Sequence, residues 1–157
     1  PAPISPSAEG AIRFDQNDMR YIGFMNHSPH RVMYLNKTYP TATHLFEALK
    51  FLEGHPRIAE EIRTVQDVHQ VYPKSARYQQ YERRDWGMVF LQMMERAIVH
   101  KFKQHPDLRS LLLETGNLAL LYMDTADAYW GMGPDGETGE NQLGKLLMKV
   151  RDQLKEE

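Results

Sequence analysis

The sequence of 157 residues contains no cysteine. That absence excludes disulfide bonds, thiolate catalysis and cysteine zinc sites, and it is typical of intracellular proteins. No apolar run approaches the roughly 20 residues that a membrane-spanning helix needs, and the N-terminal segment lacks the charged and apolar regions of a signal peptide. We therefore expect an intracellular protein, cytoplasmic or nuclear, with no membrane partner.

Neither sign of charge predominates, because the formal net charge at pH 7 is only −2. Proteins that bind nucleic acid without sequence preference rely on a broadly basic surface, so any contact with a modified nucleic acid would have to be local. His27 and His30 lack carboxylate or cysteine partners at the spacing of metal ligands, and we predict no metal site there.

The pattern of apolar, capping and turn residues predicts the order of the elements. Strands are predicted at residues 11–15, 32–35 and 118–123, and a turn at Asn36–Lys37 is predicted to lead into a further strand that enters Tyr39. Helices are predicted at residues 43–52, 56–63, 85–103, 106–114 and from Asn141 onward, with a short turn at 65–70. Asp85 and Asn141 stand where a side chain can cap the helix that follows. A chain of this length with 41% hydrophobic residues fits one compact domain. The prediction is a helix-rich, single-domain α+β fold with a small sheet.

Residues 1–10 contain three prolines and almost no apolar bulk. They are predicted to be a disordered lead-in to a domain of residues 11–157. Deleting these residues should change neither the melting temperature nor ligand affinity, because the segment lacks the apolar surface that would offset the entropy of ordering it. Thermal melting of the truncated and complete chains tests this, and a fall of several degrees would show that the segment is docked.

The segment Tyr39–Phe51 is the most informative part of the sequence. Pro40 disfavours helix for the residue before it, and Thr41 can cap a helix by accepting from the N–H of Thr43 or His44. Thr43, Glu47 and Lys50 are then three and four residues apart and share one helix face. On spacing alone, Glu47 and Lys50 are a solvated ion pair on an amphipathic helix. The same carboxylate and ammonium would also suit a binding site.

Tyr39–Phe51 resembles the central motif of the NADAR family of YbiA-like N-glycosidases. That motif has a Trp or Tyr, then Pro-Thr-Ser-Glu-His, two aromatic or apolar residues, Gln-Ala, one variable residue and Lys-Phe. Three further blocks resemble the family in the same order, and they are Tyr21–His27, Asp127–Gly131 and Asn141–Met148. The resemblance covers about residues 11–155 and implies a YbiA-like fold over nearly the whole chain.

The resemblance implies hydrolysis of the N-glycosidic bond between a ribose and a base in an ADP-ribosylated or ribosyl-phosphate substrate. Such a reaction needs a carboxylate beside the anomeric carbon, because loss of the base leaves oxocarbenium character on the ribose. It requires no metal or dinucleotide cofactor. The candidate substrate-binding residues are Asn26, His44, Lys50, Tyr129, Trp130 and Asn141, with Asp127 as a ribose ligand or second carboxylate. His44 would serve equally as a packed core histidine, and Trp86 is interpreted as a structural anchor.

The sequence departs from the family motif at the expected catalytic position. The motif Glu aligns with Thr43, Phe90 replaces a frequent Lys, and no Gly-Arg step follows Val71. Glu47 occupies the position one turn after Thr43, where Cβ atoms lie roughly 6 Å apart on one face. Two hypotheses remain: an N-glycosidase that uses Glu47 or Asp127, with Thr43 at the motif position, and a binding module for ADP-ribose or a nucleotide that has lost turnover.

Overall fold

The computed structural model describes residues 10–157, so nearly all of the predicted lead-in lies outside the described residues. The helices are α1 (Ala42–Ala48), α2 (Pro56–Arg63), α3 (Val71–Arg77), α4 (Trp86–Gln104), α5 (Pro106–Glu114) and α6 (Gln142–Lys155). The strands are β1 (Ile12–Phe14), β2 (Val32–Tyr34), β3 (Lys37–Tyr39) and β4 (Leu120–Tyr122). This helix-rich α+β structure with small sheets confirms the predicted fold class. No helix within residues 10–157 combines the length and apolarity that crossing a membrane requires.

The described chain forms two compact units. The central unit is Asn26–His105, and the terminal unit combines the residues up to Met25 with Pro106–Glu157. The central unit contains β2, β3 and α1 to α4, and the terminal unit contains β1, β4, α5 and α6.

The central unit begins with an antiparallel hairpin in which Val32 of β2 pairs with Tyr39 of β3. The two residues between the strands, Leu35 and Asn36, have positive φ values of 48° and 66°. Positive φ at both central positions is the signature of a type I′ turn, whose twist matches that of the flanking strands. The turn was predicted one residue later, at Asn36–Lys37.

The helix bounds in the central unit agree with the sequence prediction at some helices and differ from it at others. α2 begins at Pro56, as predicted, because proline at the first helical position loses no hydrogen bond. α1 ends at Ala48 rather than Leu52, since the N–H groups of Lys50 and Phe51 bond carbonyls three residues back, which tightens the last turn. α3 was not predicted at all.

The core of the central unit is formed by buried side chains of the hairpin and its helices, including Tyr39, Leu45, Phe51, Ile62, Ala97, Ile98 and Phe102. α1 packs against α2, α3 and α4. This central position fixes α1 from three sides, and any side chain on α1 therefore has a well-defined place.

In the terminal unit, β1 and β4 pair in parallel with Ile12 opposite Leu120. Phe14 stacks on Tyr122 with ring centroids 5.6 Å apart and meets Phe24 edge-on at the same distance. α6 packs on β4 and α5 through a buried stripe that includes Leu143, Leu146, Leu147 and Val150. This stripe shows the 3.6-residue period from which the helix was predicted.

Gly144 allows α6 to approach β4 without a side chain between them. A Cβ added there would overlap the carbonyl oxygen of Leu120 and the amide of Asn141. Gly144→Ala should therefore lower the free energy of unfolding by about 1–3 kcal/mol, the usual cost of overpacking. Urea denaturation measures this, and Gly87→Ala is a matched control because a Cβ at Gly87 on α4 meets no atom within 4 Å. Equal effects of the two variants would contradict the assigned close approach.

Candidate active site

The start of α1 is organised by Thr41 and His44. The Thr41 hydroxyl accepts from the His44 N–H at 3.2 Å, which confirms Thr41 as the N-cap. The His44 ring has a partner at each nitrogen: Nδ1 lies 2.8 Å from the Thr41 hydroxyl and Nε2 lies 2.8 Å from the Val65 carbonyl oxygen. Because a carbonyl only accepts, Nε2 carries the proton and Nδ1 accepts from Thr41.

His44 is almost completely buried, and burial lowers the pKa of its imidazole, against a smaller opposing effect of the Val65 hydrogen bond. A neutral ring with two protein partners fits the packed-core interpretation of this residue. Its role is to hold the N-terminus of α1 against the chain at Val65.

Glu47 and Lys50 form an ion pair that is buried rather than solvated. Glu47 Oε1 lies 2.7 Å from Lys50 Nζ, and the two side chains are only 6% and 10% exposed. Oε1 has no hydrogen-bonding partner among the described residues, so the pair is held by charge. Since taking two charges out of water costs several kcal/mol, such a pair is poor support for stability and suggests another role.

Two aromatic rings flank the Lys50 ammonium. Its Nζ lies 5.5 Å from the ring centroid of Tyr72 and 5.7 Å from that of Trp86, which are cation–π distances. The Trp86 ring packs against Phe46 at 5.2 Å, and Tyr72 is 63% exposed. Trp86 thus both anchors α4 and faces the ion pair, a second role that the sequence interpretation did not give it.

Asn26 and Thr43 meet at the same end of α1. The Thr43 N–H donates to the Asn26 carbonyl oxygen at 3.0 Å. The Asn26 side-chain amide donates to Met94 Sδ at 3.3 Å, and both Asn26 and Thr43 are half-buried. Since Thr43 and Glu47 are one turn apart, the structure brings Asn26, Thr43, Glu47 and Lys50 into one neighbourhood of the central unit.

A pocket of about 310 Å³ opens beside Lys50. Apart from Lys50, it is lined by polar and charged residues that include His55, Gln80, Tyr81, Glu82, Arg83 and Arg84. We call it the basic pocket. None of these residues besides Lys50 was assigned to the site from sequence.

Asp127 in the terminal unit holds a tight turn. Its Oδ1 accepts from the N–H groups of Tyr129 at 2.9 Å and Trp130 at 2.8 Å. The rings of Tyr129 and Trp130 then stand edge-on, with centroids 5.1 Å apart.

Tyr122 in the same unit remains a neutral hydrogen-bond donor. Burial raises its pKa far above the usual range, and the charges of Asp124, Asp127 and Asp15 raise it further.

Asn141 fastens the loop before α6 to β4. Its Oδ1 accepts from the Tyr122 N–H and its Nδ2 donates to the Leu120 carbonyl oxygen, both at 2.9 Å. It occupies the N-cap position with a left-handed backbone, but its side chain does not cap α6, so the predicted capping is wrong. Asp85 likewise pairs with Arg83 at 2.6 Å instead of capping α4.

The predicted site residues divide between the two units. The central unit holds Asn26, Thr43, His44, Glu47 and Lys50, and the terminal unit holds Asp127, Tyr129, Trp130 and Asn141.

Within residues 10–157, histidine and acidic side chains form no group of three or more that could hold a metal ion. The rings of His27 and His30 lie near those of His69 and His105, at 6.2 and 5.2 Å.

Comparison with known proteins identifies the family. The model of the NADAR domain matches residues 14–155. The N-glycosidase YbiA of Escherichia coli K12 is 38% identical over 143 residues, covering 91% of this chain and 88% of that protein. A riboflavin biosynthesis protein of Vibrio vulnificus is 33% identical over 148 residues, covering 94% of this chain and 40% of the relative.

Comparison with solved structures points to the same family. The NMR structure of E. coli YbiA matches with a TM-score of 0.81 at 34% identity, covering 98% of this chain and 94% of the other. The resemblance inferred from four ordered sequence blocks is thereby confirmed, and the chain belongs to the NADAR domain family.

Proposed function

We propose that this protein is an N-glycosidase that hydrolyses the bond between a ribose and a base nitrogen in a phosphate-bearing ribosylated substrate, with Glu47 as the catalytic carboxylate. In the reaction, a water oxygen bonds to the anomeric carbon, the carbon–nitrogen bond breaks, and a proton from water reaches the departing base. The similarity to relatives named N-glycosidases supports the reaction class.

The buried Glu47–Lys50 pair is the observation that carries the assignment of Glu47. As the base departs, positive charge develops on the ribose, and a fixed carboxylate stabilises it most strongly where water is excluded. Glu47 meets both conditions, because its side chain is only 6% exposed and Lys50 lies 2.7 Å from it. The Lys50 ammonium holds the carboxylate in place by charge.

The neighbours of this pair fit the remaining parts of such a substrate. Tyr72 and Trp86 offer ring faces on which a base can stack, and Tyr72 is open to solvent. Thr43 lies one turn before Glu47 on the same face, where its hydroxyl can orient the attacking water. Asn26 is fixed beside Thr43 and offers its half-buried side chain to ribose hydroxyls.

We consider two substrate classes for this reaction. The family resemblance supports a ribosylaminopyrimidine phosphate and a base bearing ADP-ribose, and the similarity to a riboflavin biosynthesis protein is in keeping with the first. Incubating the protein with both compounds and with NAD, and following base release by chromatography, tests the proposal. Release from at least one of them is expected, and no release from any would refute the enzyme proposal.

A binding module for ADP-ribose or a nucleotide is the second candidate. It is favoured by Thr43, which stands where the resembling motif has its Glu. If the wild type binds ADP-ribose but releases no base, the module is supported, and Thr43→Glu is then the substitution expected to restore release. Release by the wild type excludes a binding-only role.

A further inference from the structure

The basic pocket beside Lys50 carries more positive than negative charge. Its lining contains three cations and one carboxylate, namely Lys50, Arg83, Arg84 and Glu82. At about 310 Å³, it is large enough for a phosphate group with its immediate substituents. The lining therefore suits an anion.

Arg84 is the cation in this pocket that remains available. Its side chain is exposed and makes no hydrogen bond or ion pair with any described residue. Arg83, in contrast, is already bonded to the Asp85 carboxylate at 2.6 and 2.9 Å. The Arg83 N–H also donates to the Lys50 carbonyl oxygen at 2.9 Å, which fixes this part of the chain next to Lys50. A guanidinium fork matches phosphate oxygens in pairs.

The N-terminus of α2 adds to the positive potential. His55 is its N-cap residue, lines the pocket and makes no side-chain cap, so the first N–H group, that of Arg57, is left for another acceptor. Helix N-termini carry partial positive charge and attract anions. This effect supplements the side chains and does not define the site by itself.

We propose that the basic pocket binds a phosphate of the substrate through Arg84 and Lys50. This inference rests on the proposed function for the identity of the ligand, but it assigns a subsite to residues outside the catalytic pair. Lys50 both lines the pocket and pairs with Glu47, so its ammonium links the phosphate subsite to the catalytic carboxylate.

Calorimetric titration of the complete protein with ADP-ribose, ADP and adenosine, at fixed ionic strength, tests the subsite without requiring turnover. ADP should bind at least tenfold more tightly than adenosine. Arg84→Gln should weaken ADP binding about tenfold and leave adenosine binding unchanged. Glu82→Gln, which removes the opposing carboxylate, should strengthen ADP binding. Arg31→Gln is the matched control, because Arg31 is exposed in the same unit but does not line the pocket.

Each alternative outcome is informative. Equal affinity of the wild type for ADP and adenosine, absence of ADP binding, or equal losses in the Arg84 and Arg31 variants would overturn the subsite. If ADP binding depends on Arg84 while no substrate releases its base, the subsite stands and the glycosidase proposal fails. If base release proceeds with the same KM in the Arg84→Gln variant, the glycosidase proposal stands and the subsite fails.

Discussion

Glu47→Gln is expected to lower kcat by at least about 10²–10³-fold while changing ligand affinity little. The substitution keeps the size and shape of the side chain and removes only the charge that faces the developing oxocarbenium. Loss of one preorganised electrostatic group costs on the order of 10²–10³ in rate in comparable sites. An interaction made only in the transition state appears in kcat rather than in substrate binding. Steady-state base release, with ADP-ribose affinity from calorimetry, measures both quantities.

The variant also leaves Lys50 buried beside a neutral amide, and breaking a buried pair is destabilising. Thermal melting must therefore show that Glu47→Gln is folded at the assay temperature. Glu114→Gln is the matched control, because this carboxylate is exposed on α5, outside the central unit. A Glu47→Gln variant that releases base as fast as the wild type would remove Glu47 from catalysis and leave Asp127 as the other predicted carboxylate.

Elements with local signals could be predicted from the sequence. α2 and α5 begin at prolines, and their bounds match the prediction because proline at the first helical position and the apolar period are both written in neighbouring residues. α3 was missed because it is short, contains Pro73 and buries only two side chains, Val71 and Ser75. Its helicity depends on packing against α1 and α2.

The capping predictions failed for a related reason. An Asp or Asn before a helix is a good local cap. Asn141 instead bonds to the backbone of β4, some twenty residues earlier in the chain, and Asp85 binds Arg83. A long-range or charged partner outcompetes the local N–H, and local sequence does not show which partner will be near.

The candidate site was predicted in part. The helical face with Thr43, Glu47 and Lys50 follows from spacing, and the structure has Glu47 and Lys50 paired as that spacing suggests. Their burial was not predictable, because it depends on tertiary neighbours. Tyr72 lies on the unpredicted α3, and Trp86 reaches Lys50 only once α4 packs against α1.

The second large effect concerns Lys101, which is a charge buried in the central unit. The Lys101 side chain is 1% exposed, and its Nζ donates to the Ser28 hydroxyl at 2.8 Å. The Ser28 oxygen also lies 2.8 Å from His30 Nδ1, and the His30 ring meets that of His105. Burial lowers the pKa of Lys101 to about 7. Burial first, and then the charges of Lys101 and His105, lower the pKa of His30.

The sign of the pH dependence follows from this lowered pKa. Unfolded, Lys101 has a pKa near 10.4, so between about pH 7 and 10.4 the unfolded chain holds a proton at this site that the folded chain has released. Stability therefore rises with pH across this window. The penalty for the buried charge is absent above the unfolded pKa, grows as pH falls, and is complete below about pH 7. At 1.36 kcal/mol per pKa unit, the full penalty is on the order of 4–5 kcal/mol.

Lys101→Met should therefore stabilise the protein at pH 7 by about 2–3 kcal/mol, because the penalty that it removes exceeds what the contacts of the ammonium contribute, at about 1 kcal/mol each; these contacts include the Ser28 hydrogen bond and the Phe102 ring. The advantage should shrink steadily as pH rises to 9.5, since the wild-type lysine is then neutral in the folded state and the penalty falls. Urea denaturation of both proteins from pH 7.5 to 9.5 measures the difference, in which the titration of groups remote from Lys101 cancels. The range begins at pH 7.5 because Lys101 also lowers the pKa of His30, which then titrates below this range. Lys103→Met, exposed on the same helix, should show no such slope. A Lys101→Met variant that is less stable than the wild type by the same amount at every pH would mean that the ammonium is fully compensated in the folded state, and that Lys101 tethers Ser28 without cost.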